Sequence, residues 1–231
     1  HPFRVENLTD AHASSFVKIA DSYGQQWTGD LLRAWFGGGQ PAFAYGGVQE
    51  RMQWIAQSLP SLCAKLHATG SAGAAAARQL LDLTWAWTAR NISTALQLSP
   101  ASYRAEQLRG LANPLAAILT AATATGSAST QDLVIGYIRK QSDPVTMLAL
   151  SALRAADKGR PDGDDAFGQL ADECAARLRA RLARPRRTDG DWSIQLPPEG
   201  PVGGCTCNLC GTLRAFLEDK SRRTFKWPLA K

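Results

Sequence analysis

"QLLDLTWAWTARNISTALQL", residues Gln79 to Leu98, decides the fold class. Leu81, Trp85, Thr88, Ile92 and Leu96 recur at three- and four-residue steps, which places them on one face of a helix and cannot place them on one face of a strand. The same spacing returns on both sides. Ile55, Leu59, Leu62, Cys63 and Leu66 form an earlier stripe, and Leu108, Leu111, Leu115 and Ile118 a later one. Alternation of the strand kind is almost absent.

Working outward, the pattern predicts helices over 10–23, 28–36, 47–68, 72–98, 101–124, 130–140, 144–157 and 164–184. Ser99-Pro100, Asp143-Pro144 and Ser129 with Asp132 mark starts, because a side-chain oxygen can cap free amides and proline suits a first turn. Gly70, Gly126 and Gly159 mark stops. The fold expected is all-α, an irregular array of antiparallel helices to which HEAT-type pairing is one candidate description, with a small C-terminal Cys-rich knuckle. No repeat of fixed period accompanies it. The expected core includes Trp54, Leu81, Trp85, Leu115, Leu148 and Leu170. Trp27, Trp35 and Trp87 are read as core aromatics as well, rather than as the lining of a ligand groove.

The chain has 231 residues, 45% hydrophobic and 20% charged, which suits a globular protein with a substantial core. Its organisation reads as a helical domain over 1–184, an extended linker over 185–204 and a Cys-rich segment over 205–231. The linker, "PRRTDGDWSIQLPPEGPVGG", interrupts every helical phase with proline and glycine. No apolar run reaches the roughly 18 residues that span a bilayer, and His1–Asp10 lacks the basic-then-apolar order of a signal peptide. A cytoplasmic chain without a membrane partner is the expectation. The start without methionine reads as a processed or truncated piece.

Five cysteines at scattered spacing do not make a disulfide framework. Cys63 and Cys174 lie within apolar stripes, Cys174 in line with Phe167, Leu170 and Leu178, and read as core thiols. His12 and His67 read as surface or capping residues. The net charge of +6 and the run "RLRARLARPRR", Arg177–Arg187, invite comparison with nucleic-acid binders, yet the run carries no base-reading side chains and reads first as a solvated helix end. No Gly-rich phosphate loop, nucleophile–histidine order or His-Glu-x-x-His pair is present.

Cys205, Cys207 and Cys210 stand apart. Three thiolates within six residues repel one another unless a cation is shared, and zinc takes such ligands at about 2.3 Å. The expected cofactor is one structural zinc held by Cys205, Cys207 and Cys210, with Gly203-Gly204 turning into the site and Cys210 opening a helix. The fourth position falls to a distant histidine or cysteine, a residue beyond Lys231, or water.

"DWSI" and "CTCNLCGTLRAFLEDKSRRTFKWPLAK" resemble a tail segment of large proteins that carry a 2-oxoglutarate/iron(II) oxygenase domain of the prolyl-hydroxylase type. The resemblance covers about the last 40 residues closely and the helical part only in general character. It implies a zinc-ligating histidine beyond Lys231 and an accessory role for this chain. The oxygenase activity does not transfer, since this chain has no His-x-Asp pair and almost no strand signal for the fold that holds the iron. The expected function is therefore a non-catalytic scaffold or protein-interaction domain, partnered by another protein or another domain of the same polypeptide. A nucleic-acid-binding role through the arginine run and the knuckle is the alternative.

Overall fold

The computed structural model describes residues 4–37, 47–141, 143–156, 165–183, 193, 207–222 and 224–225. Two 3-10 turns, Val5–Asn7 and Asp10–His12, precede α1 (Ala13–Gly37), α2 (Gly47–Ala68), α3 (Ser71–Leu96), α4 (Ala101–Gly110), α5 (Ala112–Ala124), α6 (Ala128–Lys140), α7 (Asp143–Ala156), α8 (Asp165–Leu182) and α9 (Asn208–Glu218). No strand occurs among the described residues, so the fold is all-α. The chain divides into two compact units, His1–Arg179 and Ala180–Lys231. The linker proposed over 185–204 falls outside the described residues, Ser193 excepted.

The first unit is built around α5. Its sequence, ANPLAAILTAATA, is mostly apolar and nine of its residues are buried, with Asn113, Thr120 and Ala124 leaving one narrow edge toward solvent. It packs against α2, α3, α4, α6 and α7. The many alanines let those neighbours approach closely. Ile55, Leu59, Leu62, Cys63 and Leu66 of α2 are fully buried, as their spacing predicts. So are Leu81 and Ile92 of α3, while Leu96 at the helix end is only partly covered. Thr84 and Thr88 are buried in the same face because their hydroxyls donate to Leu80 O (2.7 Å) and Thr84 O (2.9 Å). All six expected core residues, Trp54, Leu81, Trp85, Leu115, Leu148 and Leu170, are buried.

Helix ends follow from a few residues. The single helix expected over 101–124 is two, α4 and α5, broken at Gly110–Leu111. Pro114 explains the break: it has no N–H for the carbonyl of Gly110, and the interruption moves it into the first turn of α5, where none is needed. Helix α5 ends at Gly126 (φ 61°), where Gly126 N–H donates to Thr123 O and Ser127 N–H to Ala122 O, a paired closure that satisfies the terminal carbonyls. Ser127, not Ser129, is the residue before α6, and its hydroxyl is shared with Thr125 (2.8 Å) instead of capping the helix. Gly70 is a stop as expected (φ 101°); Gly159 lies outside the described residues.

The remaining elements are tied on by polar anchors. Trp54 donates to Leu8 O at 2.7 Å, and Arg51 pairs with Glu6 at 2.7 Å, fixing the first residues on α2. Tyr137 of α6 meets Trp85 edge-on, 5.4 Å between rings, and its hydroxyl lies 2.8 Å from the Ser93 hydroxyl of α3. Helix α8 buries Phe167, Leu170 and Cys174. Leu178, expected in the same stripe, is 41% exposed, so the buried face ends one turn before it.

Candidate functional site

The predicted metal ligands lie in the second unit. Cys207 is the exposed residue before α9, in an extended conformation (φ −65°, ψ 159°), and its carbonyl accepts the first helical bond from Gly211 N–H at 2.9 Å. The helix opens at Asn208, so Cys210 does not begin it, as expected from the sequence, but sits inside its first turn. Residues three apart on a helix have Cβ atoms about 5–6 Å from one another, so Cys207 and Cys210 share one side of the turn. Both stand at the start of α9, where the free main-chain amides of a helix N-terminus lie. Cys205 lies outside the described residues, and among those described no three His, Cys, Asp or Glu side chains gather as a metal cage.

Beyond the cysteines, α9 carries an apolar face of Cys210, Leu213, Phe216 and Leu217, all half-buried. It stops at Asp219, whose carboxylate accepts from the Ser221 N–H (2.9 Å) and hydroxyl (2.6 Å) and pairs with Arg222 at 3.1 Å. The Ser221 bonds, aided by Arg222, hold the Asp219 carboxyl below its usual range. The turn returns the chain so that Phe225 lies 4.9 Å from Phe216, ring to ring. Asp219 is thus engaged in its own turn rather than aimed at the cysteines.

The other titratable candidates serve the fold. Burial pushes the Cys63 thiol up to about 12 and raises that of Cys174 as well, which makes both inert as ligands or nucleophiles. His12 Nδ1 faces the Thr9 N–H (3.2 Å) and hydroxyl (2.9 Å), closing the turn before α1; His67 is exposed at the end of α2. Arg177, first residue of the arginine run, is withdrawn from solvent. It donates to Ile138 O (2.8 Å), Arg139 O (2.5 Å) and Gln141 O (2.9 Å), which closes the C-terminus of α6, and to Glu173 at 3.0 Å. Arg139 binds the same carboxylate, and the two guanidinium groups, Arg139 first, hold Glu173 below the ordinary carboxylate range. Arg179 and Arg181 are exposed; Arg184, Arg186 and Arg187 lie outside the described residues.

Two surface features on α1 were not singled out by the sequence. Gly24 adopts φ 84° and ψ 168° and divides α1, just where the periodicity leaves a gap between 23 and 28. Beside it, Tyr23 and Trp27 hold their rings 4.9 Å apart while 67% and 36% exposed, and Ile19 before them is 44% exposed. Trp27 is therefore not a core residue, unlike Trp54 and Trp85: it lies beside Tyr23 across the Gly24 break, on a face that no helix covers among the described residues. A neighbouring face of α1 and the first turns of α3 enclose an open cleft of about 710 Å³. Its small-residue floor includes Ala20, Thr28, Ala72 and Ala76, and its walls carry Asp21, Gln25, Arg33, Arg78, Gln79 and Asp82.

Comparison with family models, curated proteins and solved structures gives no match. Among the described residues no helix is long and apolar enough to cross a membrane. The class defined by the fold is an all-α domain, and the functional reading rests on the chain's own surfaces.

Proposed function

We propose that this chain is a non-catalytic helical scaffold that engages a protein partner, or another domain of the same polypeptide, through the exposed face of α1. The observation that carries this reading is the Tyr23–Trp27 pair, two large aromatic side chains in tilted ring contact and open to solvent. Tyrosine and tryptophan present wide, stiff contact area at low entropic cost, which is why they dominate the energy of protein interfaces. A rigid core lies behind them. The polar side chains that could have built a catalytic centre, Glu6, His12, Arg51, Glu173 and Arg177, are engaged in structural bonds instead.

In the tail, the proposal is that Cys205, Cys207 and Cys210 hold one structural zinc, the helix-start placement of Cys207 and Cys210 being its support. The resemblance of the last residues to oxygenase tails supports an accessory role beside an oxygenase-like domain. HEAT-type pairs would each touch chiefly the next pair, whereas α5 touches five elements, so an irregular helical array is the better description of the body.

The test compares Tyr23→Ala/Trp27→Ala with the wild-type chain in crosslinked capture followed by quantitative mass spectrometry. A partner enriched by the wild type and lost by the variant, with unchanged circular dichroism, is expected; equal enrichment refutes the reading. Retention on nucleic acid that falls steeply with salt would favour the alternative through Arg179 and Arg181. For the metal, protein purified without chelator should carry about one zinc per chain, lost in Cys207→Ala. Protein free of zinc would end that proposal.

A further inference from the structure

The cleft between α1 and α3 carries one acid and one base on each wall, Asp21 and Arg33 on α1 and Arg78 and Asp82 on α3, over a floor without bulk. Of its wall residues, Arg33 is engaged with Gly29 O and Asp30, and Asp82 accepts from Thr130. Asp21 and Gln25 on α1, and Arg78 and Gln79 on α3, make no hydrogen bond or ion pair to any described residue. Four polar side chains thus face one cavity with their bonding capacity intact.

Their chemistry narrows the occupant. Two aspartates and two arginines line the cleft, so its ionisable side chains sum to no net charge, and neither a phosphate nor a polycation is favoured by their balance. Among the described residues no aromatic side chain lines it, which removes the stacking platform that a base or a sugar ring uses. The alanine floor offers no deep apolar pocket for a hydrophobic anchor. What remains must bring a cation to Asp21, an anion to Arg78, and alternating donors and acceptors to two carboxamides. An extended polypeptide does all three. Successive side chains of a strand point to opposite sides, and its main chain presents N–H and C=O groups that a glutamine carboxamide can match.

We propose that this cleft binds an extended peptide segment of alternating charge, with a basic side chain on Asp21, an acidic one on Arg78, and its main chain hydrogen-bonded by Gln25 and Gln79. The proposal rests on the scaffold reading and assigns the chemistry of a partner segment. Exposed ion pairs are individually weak, so the affinity is modest and depends on both walls acting together.

The experiment titrates the full chain against a labelled peptide alternating lysine and glutamate, read by fluorescence anisotropy, beside all-glutamate and all-lysine peptides and inorganic phosphate. The alternating peptide should bind best, and Asp21→Lys or Arg78→Glu should each weaken it on the order of fivefold without changing the circular dichroism. Absence of binding, wild-type affinity in either variant, or tighter binding of phosphate or a single-charge peptide overturns the proposal. The Tyr23→Ala/Trp27→Ala chain separates the two readings. If it loses its partner while the cleft binds no peptide, only the cleft proposal falls; if it keeps its partner, the aromatic face falls whatever the cleft does.

Discussion

Arg177→Met removes one guanidinium and preserves most of its apolar stem. In the folded chain that group donates to three carbonyl oxygens at 2.5–2.9 Å at the end of α6 and to Glu173 at 3.0 Å, with only 19% of its side chain exposed. The last carbonyls of a helix have no intrahelical donor, so the arginine closes α6 as a cap would. A charge-assisted hydrogen bond contributes about 1.5–3 kcal/mol when its partners are withdrawn from water. These bonds share one side chain and the carbonyls can be partly rehydrated, so the loss should be about 2–4 kcal/mol in total rather than their sum. For a chain of this size that corresponds to a fall in Tm of about 5–15 °C. Urea unfolding followed by circular dichroism measures it. Arg177→Lys is the informative control: it keeps the charge, yet one ammonium cannot span three carbonyls and a carboxylate, so it should recover less than half of the loss. A stability for Arg177→Met within about 0.5 kcal/mol of wild type would refute the cap.

Trp85→Ala should cost about 3–5 kcal/mol in the same assay, since Trp85 is 6% exposed and carries the edge-on contact with Tyr137; a change within error would place it outside the core. Gly73→Ala should be poorly folded or unfolded, because a Cβ there would lie 2.1 Å from the Leu66 carbonyl oxygen and from the Thr69 hydroxyl; normal expression and melting would show that the α2–α3 turn gives way. The Glu173 carboxyl is held below its unfolded value of 4.5, so the stability it contributes is present above that pH and is lost as the pH falls through the lower folded value. Stability measured from pH 6 downward should therefore fall less steeply in Glu173→Gln than in wild type, and parallel curves would count against the two-arginine clamp.

The helical body was legible because its stripes are long and its stops are glycines. The α2 stripe from Ile55 to Leu66 is fully buried, and Gly70 and Gly126 end helices with positive φ. Where the reading failed, short-range pattern met tertiary demand. Leu108, Leu111, Leu115 and Ile118 are all buried as one stripe would be, so periodicity alone concealed the break that Pro114 requires. The role of Arg177 was invisible in a run of like residues, because it depends on the end of α6, some 36–39 residues away. Trp27 was read with the core tryptophans, but it follows the Gly24 break and no helix covers it among the described residues. In the tail, the spacing of Cys207 and Cys210 was right for one side of a turn, but the helix begins two residues earlier than the cysteine pattern suggests.

A helix covered over most of its surface also sets the clock of the molecule. Apart from the Asn113–Thr120–Ala124 edge, α5 is closed over by α2, α3, α4, α6 and α7, so fraying of one outer element leaves the main-chain amides of its buried side covered. Their exchange with deuterium must await opening of the whole first unit, so the slowest protons of Leu115, Ile118 and Leu119 report global stability directly. The outer helices exchange by smaller, local openings. The fold thus separates a kinetically sealed interior from a surface, α1 included, that can rearrange around a partner without disturbing it.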